Sequence, residues 1–332
     1  MLKALKYLFF LGFLAALASA GWLWRFAHTP LKLGAANVEF TIPAGSSLRR
    51  ATREIVRGGV DMRPLAFEAV ARAAGDPAEI KAGSYEVAPG TTPLELLGKL
   101  MRGEFALAEI KFTEGWTFQQ LRDALDAHPR VRHDTKGLAE AEVLARLGVP
   151  LEHAEGLFFP DTYRFPKDAS DLDVLRGAYR AMERHLDTAW RERQSDLPFT
   201  SPYEALILAS IVEKETGRPD DRPLVAAVFV NRLRAGMKLQ TDPTVIYGLG
   251  DRFDGNLRKR DLTADSPYNT YTRDGLPPTP IAMPGLASLE AVMNPPASDA
   301  LYFVARGNGT SEFSRTLDEH NRAVAKYQRG GP

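Results

Sequence analysis

At 332 residues the chain exceeds one typical core and suits two or three modules. Its 42 basic and 42 acidic side chains cancel, so nothing in the charge balance supports a nucleic-acid partner held by counterion release, and an uncharged polymer fits better. With no cysteine, the chain has no disulfides, thiolate zinc sites, thiol catalysis or lipidated N-terminal cysteine.

The first element is apolar. Tyr7–Trp24 carries no charged residue, is rich in Leu, Phe and Ala, and is flanked by Lys3 and Lys6 before it and Arg25 after it. With Ala4 and Leu5 it approaches the roughly 20 residues that span a bilayer. Lys3 and Lys6 can snorkel to the cytoplasmic headgroups, which places the N-terminus inside and the bulk of the chain outside the cytoplasm. Ala18-Ser19-Ala20 also resembles a signal-peptide cleavage site, but Trp22 and Trp24 extend the segment to an aromatic belt that a removed peptide has no need of. Either reading exports the protein.

Residues 26–36 read as a connector. Val38–Pro43 then alternates like a strand, Leu48–Arg57 and Pro64–Ala74 carry helical spacing, and Gly83–Val87 returns to strand. Thr91–Met101 is a connecting helix. A second passage starts at Ile110–Thr113, where Lys111-Phe-Thr-Glu-Gly-Trp-Thr117 is similar to Thr41-Ile-Pro-Ala-Gly-Ser-Ser47, and continues with helical segments near Phe118–Ala127 and Gly137–Leu147. This points to an internal duplication. A strand, helix, helix, strand order with a Gly-containing first turn resembles LysM, a module that binds the glycan backbone of peptidoglycan or chitin; compact packing platforms are the alternative. The Glu155-Gly-Leu-Phe-Phe-Pro-Asp-Thr-Tyr-Arg-Phe-Pro166 stretch reads as a packed structural joint, with Asp161 and Thr162 as turn or cap groups. A polar helix over about Asp171–Arg193 follows.

Leu206-Ile-Leu-Ala-Ser-Ile-Val-Glu-Lys-Glu-Thr216 carries the chemistry. Ser201 is placed to cap this helix, Pro202 and Glu204 suit its first turn, and Gly217 and Pro219 close it. An apolar helix must be buried, yet this one ends in Glu213 and Glu215, where desolvation raises a carboxyl pKa and makes a general acid. Glu215 shares the stripe of Leu208, Ile211 and Val212, the bulkier one, whereas Glu213 shares that of Leu206, Ala209 and Ser210. The alternative is that both acids are solvated and pair with Lys214, Arg218 or Arg222. A helix over Pro223–Ala235, stopped by Gly236, delivers a loop over Leu239–Gly248 that brings Gln240, Thr241, Asp242 and Tyr247. A second polar and aromatic cluster holds Tyr268, Asn269, Thr270 and Tyr271, before the proline-rich Gly275–Ile281. Tyr faces and amide, hydroxyl and carboxylate groups are the mixture that binds sugars, so these residues are expected to contact substrate together with Glu213; loop capping is the alternative for each. The six histidines show no metal-ligand spacing, and neither a phosphate loop nor a Gly-x-Ser-x-Gly elbow is present, so no cofactor and no metal is expected.

Ala209-Ser-Ile-Val-Glu-Lys-Glu-Thr216, Asn231-Arg-Leu-Arg-Ala-Gly-Met-Lys-Leu-Gln-Thr-Asp-Pro-Thr-Val-Ile-Tyr-Gly248 and Tyr268-Asn-Thr-Tyr271 resemble the MltG/YceG-like endolytic murein transglycosylases, and the order of segments, including a late Leu301–Val304 strand, fits through nearly the whole chain. The resemblance implies that Glu215 is the catalytic acid. It also implies a membrane-anchored enzyme that cuts nascent peptidoglycan glycan strands internally, leaves an anhydromuramoyl end and limits strand length, with wall-synthesis proteins such as penicillin-binding proteins as partners. Glu213 and Asp242 remain candidates for assisting roles. A muramidase that uses water and a tethered, non-catalytic peptidoglycan-binding scaffold are the rival functions.

The expected architecture is α+β: a single transmembrane helix (1–25) and linker (26–36), a LysM-like βααβ module (37–105), a second LysM-like or connecting module (106–168), and a catalytic α+β domain (169–332) with a buried acid-bearing helix resembling a lysozyme-like core. The expected location is the cytoplasmic (inner) membrane, single-pass, with the catalytic domain on the periplasmic side.

Overall fold

The computed structural model describes residues 2–34, 36–75 and 77–328 of a mixed α/β chain. Ala35 of the expected connector, Asp76 of the first module and residues 329–332 of the expected catalytic domain lie outside the described residues. The chain forms two compact units, one of residues 1–108 and 164–169, the other of residues 109–163 and 170–332.

The first unit opens with α1 (Leu2–His28), of which Leu5–His28 is long and apolar enough to cross a membrane. Leu8, Phe9, Leu11 and Phe13 are exposed along it, whereas Ala27 and, just beyond its end, Leu31 are buried in the core of this unit. That core is enclosed by β1 (Val38–Ile42), α2 (Leu48–Arg57), α3 (Pro64–Ala74), β2 (Gly83–Val87) and α4 (Pro93–Arg102). The βααβ order expected from periodicity is present, and β1 and β2 pair antiparallel, with Phe40 opposite Tyr85. Ser47 caps α2 by accepting from the Arg50 amide, and Thr92 and Glu95 close a reciprocal capping box on α4.

After β3 (Leu107–Lys111) the second unit carries α5 (Phe118–Ala127), β4 (Val131–Arg132) and α6 (Glu140–Leu147); β5 (Thr162–Pro166) and β6 (Ala169–Ser170) precede α7 (Asp171–Arg191). The two similar heptapeptides fold alike. Gly45 and Gly115 both adopt a positive φ, 70° and 75°, and Ser47 and Thr117 cap the helices that follow. The second turn is also anchored: Gly115 and Trp116 exchange backbone hydrogen bonds with Met283, both at 2.8 Å, and Lys214 donates to the Gly115 carbonyl at 3.1 Å.

The remainder comprises α8 (Pro202–Glu215), α9 (Arg222–Arg234), α10 (Asp242–Leu249), α11 (Lys259–Thr263), α12 (Leu286–Met293), a hairpin of β7 (Tyr302–Ala305) and β8 (Ser311–Ser314), and α13 (Leu317–Gln328). Every residue of α8 from Ala205 to Val212 is buried, because α7, α9, α10 and α12 surround it. Ser210, polar within that run, donates to the Ile207 carbonyl at 2.7 Å and accepts from the Ile281 amide at 2.9 Å. The proline-rich segment is thereby tied to the acid-bearing helix.

Two local expectations change. The helix closes at Thr216, whose φ of −143° and ψ of 129° are extended, rather than through a left-handed Gly217. The segment expected as a loop over Leu239–Gly248 is largely helical, since Thr241 is extended at the N-cap and Pro243 suits the first turn.

Candidate active site

Glu215 is the last residue of α8, so its side chain leaves the helix where the apolar shell ends. It is half-buried and lines a cleft of about 600 Å³. Burial, with help from the Asp242 charge, pushes its carboxyl pKa above the ordinary value; the Thr241 hydroxyl and Arg232 pull the other way. The neutral acid is therefore favoured, while two groups stand ready to stabilise the anion.

One of those groups is held by a buried network. The Thr241 hydroxyl donates to Glu215 Oε1. The Thr241 amide donates to Thr270 Oγ1 at 3.1 Å, Thr270 and Thr244 share a 2.9 Å hydroxyl contact, and the Thr244 hydroxyl donates to the Thr241 carbonyl at 2.8 Å. All three threonines are essentially fully buried, so Thr241 and Thr270 orient the acid from behind. Gln240 takes a φ of 50°, sparsely populated for a residue with a side chain, and its amide is fixed by the Thr270 carbonyl at 3.1 Å. Its side chain lines the cleft, as do Asp242 and Tyr271. Tyr271 donates to Asp242 Oδ1 at 2.6 Å, and burial together with that carboxylate pushes its phenol pKa up.

The opposite wall comes from residues outside the expected site set, although Arg232 lies in the Asn231–Gly248 motif and Tyr302 and Phe303 in the late strand. Tyr302 and Phe303 of β7 and Leu317 and His320 of α13 line the same cleft, with Arg232 of α9. Arg232 is 8% exposed and donates to the carbonyls of Leu301 (2.7 Å), Leu239 (2.8 Å) and Lys238 (3.3 Å). Its guanidinium lies 5.2 Å from the Tyr302 ring centroid, and Tyr302 stacks on His320 at 5.3 Å. One buried cation thus joins the turn that carries Gln240 and Thr241 to the hairpin opposite. Burial and Arg232 lower the His320 pKa, which favours the neutral imidazole, and its Nδ1 has no hydrogen-bond partner among the described residues.

Other expected site residues have their polar atoms engaged elsewhere and do not line this cleft. Glu213 Oε2 accepts from the Gly285 amide (3.0 Å) and the Ser288 hydroxyl (2.7 Å), which caps α12, and its Oε1 faces Arg222 at 3.8 Å. The helix-end pairing considered for both acids is thus present at Glu213. Asn269 is 1% exposed: its amide donates to the carbonyls of Asp261, Leu262 and Ala264, and its Oδ1 accepts from the Tyr271 amide. It shapes the loop that presents Tyr271.

Tyr247 and Tyr268 form an edge-to-face pair, ring centroids 4.9 Å apart, and Tyr268 shares a 2.8 Å hydroxyl contact with Thr279. Tyr247 donates to Glu155 Oε2 at 3.1 Å, while Glu155 Oε1 accepts from the Phe118 amide at the start of α5. Glu155 is 6% exposed, and burial pushes its pKa up to about 7. A carboxyl raised in the folded state stabilises below its unfolded pKa and loses that contribution as pH rises through the folded value. Glu155→Gln should therefore flatten the pH dependence of stability between about pH 4.5 and 7, recovering about 3 kcal/mol at pH 8, with little change below pH 4.5. Urea unfolding at three pH values checks this; an unchanged pH slope would contradict it.

The profile of the YceG-like family matches residues 40–326. The chain belongs to the YceG-like family. It is 33% identical over 308 residues to the endolytic murein transglycosylase of Bacillus subtilis, covering 87% of this chain and 84% of the relative. It is 28% identical to the endolytic murein transglycosylase of Streptococcus pneumoniae strain D39, covering 96% of this chain and 64% of that protein. A crystal structure of a yceG-like protein from Listeria monocytogenes superposes with a TM-score of 0.54 at 32% identity, over 86% of this chain and 98% of that one.

In this YceG-like chain the cleft joins an acid whose pKa burial raises, a second carboxylate in Asp242, and aromatic faces in Tyr271 and Tyr302. That set can protonate a leaving oxygen, oppose a developing positive charge and stack on a sugar ring.

Proposed function

We infer that this chain is an endolytic lytic transglycosylase of peptidoglycan, with Glu215 as general acid and then base. The observation that carries the reading is the Glu215 carboxyl, desolvated at the end of an apolar helix, held by Thr241 and open to a cleft. Neutral Glu215 protonates the oxygen between N-acetylmuramic acid and N-acetylglucosamine as positive charge develops on the muramic ring. The Asp242 carboxylate stabilises that charge. Once ionised, Glu215 is steadied by the Thr241 hydroxyl and Arg232, and takes the proton from the muramic primary hydroxyl as it closes the anhydro ring. No water is consumed. Mass spectrometry of products decides the reaction class: anhydromuramoyl ends support it, and products heavier by one water would assign a muramidase instead.

Gln240, Tyr271 and Tyr302 are the substrate contacts in this reading, and Thr241, Thr270, Asn269 and Arg232 are positioning residues. Glu213, Tyr247 and Tyr268 support the scaffold. The acid at the end of a helix enclosed by its neighbours supports a lysozyme-like core, and the antiparallel βααβ unit supports a LysM-like glycan contact. The helix α1 supports a single-pass anchor with the residues after it on the periplasmic side, close to lipid-linked strands and to wall-synthesis enzymes such as penicillin-binding proteins.

The Asp242 charge helps to keep Glu215 protonated. Asp242→Asn should therefore lower the Glu215 pKa, move the alkaline limb of kcat/KM to lower pH, and reduce the plateau about tenfold through loss of charge stabilisation. A limb that stays in place or moves up would remove Asp242 from this role.

A further inference from the structure

We propose that a basic, aromatic pocket at the C-terminal end of α1 binds the phosphodiester headgroup of an anionic membrane lipid. The proposal rests on α1 spanning the membrane with the first unit on its far side. The pocket, about 460 Å³, lies wholly within that unit and is lined by Trp22, Arg25, Thr29, Lys32, Asp61 and Arg63, among others. Three cations face one carboxylate. Among the described residues none of the three makes an ion pair, and Arg63 instead lies 5.5 Å over the Trp22 ring, which stacks on Phe26 at 5.9 Å.

The position decides the ligand. Along α1, exposed apolar side chains give way at Leu23 and Phe26 to residues packed on the core of the unit, so the bilayer boundary falls at the turn that bears Trp22, Trp24 and Arg25. Tryptophan at that depth sits at headgroup level, and cations normally collect on the opposite, cytoplasmic side. Unpaired Arg25, Lys32 and Arg63 at the outer boundary therefore lack a protein counter-charge in the plane where lipid phosphates lie. Guanidinium groups bind phosphate oxygens in a bidentate fork, and the net positive lining favours a headgroup with net negative charge over a zwitterion.

The test uses the full chain in nanodiscs of phosphatidylcholine with one-fifth phosphatidylglycerol, with retained lipid read by native mass spectrometry. The triple variant Arg25→Gln, Lys32→Gln, Arg63→Gln should retain phosphatidylglycerol about tenfold or more weakly than the parent. A control with the same charge change on α2, Arg49→Gln, Arg50→Gln, Arg53→Gln, should match the parent. Equal retention by all three proteins, or equal loss in both variants, would overturn the site. Displacement of the lipid by millimolar inorganic phosphate would assign the pocket to a soluble anion and also overturn it. A chain that fails to enter nanodiscs at all refutes the anchor; one that enters without lipid preference refutes only the pocket.

Discussion

Glu215→Gln is expected to lower the release of anhydromuramoyl-ended fragments by about 10³-fold or more while leaving the folded state intact. Glutamine matches glutamate in shape and can still accept from the Thr241 hydroxyl, so the buried threonine network has no reason to rearrange. It cannot deliver a proton to the leaving oxygen or later remove one. Burial already disfavours charge at this position, so the neutral amide should not destabilise the fold; thermal unfolding should shift up or stay level. Glu213→Gln is the contrasting case. Its carboxylate caps α12 and faces Arg222, so its loss should appear as reduced stability, with turnover per folded molecule largely kept. Near-normal turnover by Glu215→Gln, or equal loss from both variants, would remove Glu215 from the acid role.

The contrast marks how much of the site could be read in advance. The acid-bearing helix was legible because its signals are local: Ser201 caps it, Pro202 occupies its first turn and its middle is apolar. Which of the two acids reaches the cleft was only weakly legible, because all of Ala205–Val212 is buried and the stripes of Glu215 and Glu213 differ in bulk alone. The helix α12 has no side-chain cap at Gly285, since the cap is Glu213, 72 positions earlier; such a signal exists only in three dimensions. Two elements did carry readable signals. Thr241-Asp-Pro marks a helix start, and Thr316 with Glu319 forms a reciprocal cap at the entry to α13, the helix that brings His320 to the cleft.

The first unit was legible for a related reason. The bounds of α2, α3 and β2 follow from periodicity and caps confined to a few residues. Periodicity gives element order but not partners. That residues 109–163 cluster with the acid-bearing helix depends on contacts such as Gly115 and Trp116 with Met283, which no window of sequence contains.

Arg232 tests whether the two walls of the cleft act together. Arg232→Gln should reduce kcat about 100-fold and stability by about 3 kcal/mol or more, because carbonyls of Leu301, Leu239 and Lys238 lose a buried donor and the turn bearing Thr241 loses its tie to the hairpin. A structural role alone would produce that much. The pH profile separates the roles: Arg232 favours ionised Glu215, so removing its charge should raise the Glu215 pKa and move the alkaline limb of kcat/KM to higher pH, opposite to Asp242→Asn. Arg232→Lys keeps the charge but not the planar fork, so it should lose much of the rate while holding the limb near the parent position. If Arg232→Gln lost activity with an unmoved limb, the cation would be a fastener only; if the two replacements shifted the limb alike, its field would not be what Glu215 senses.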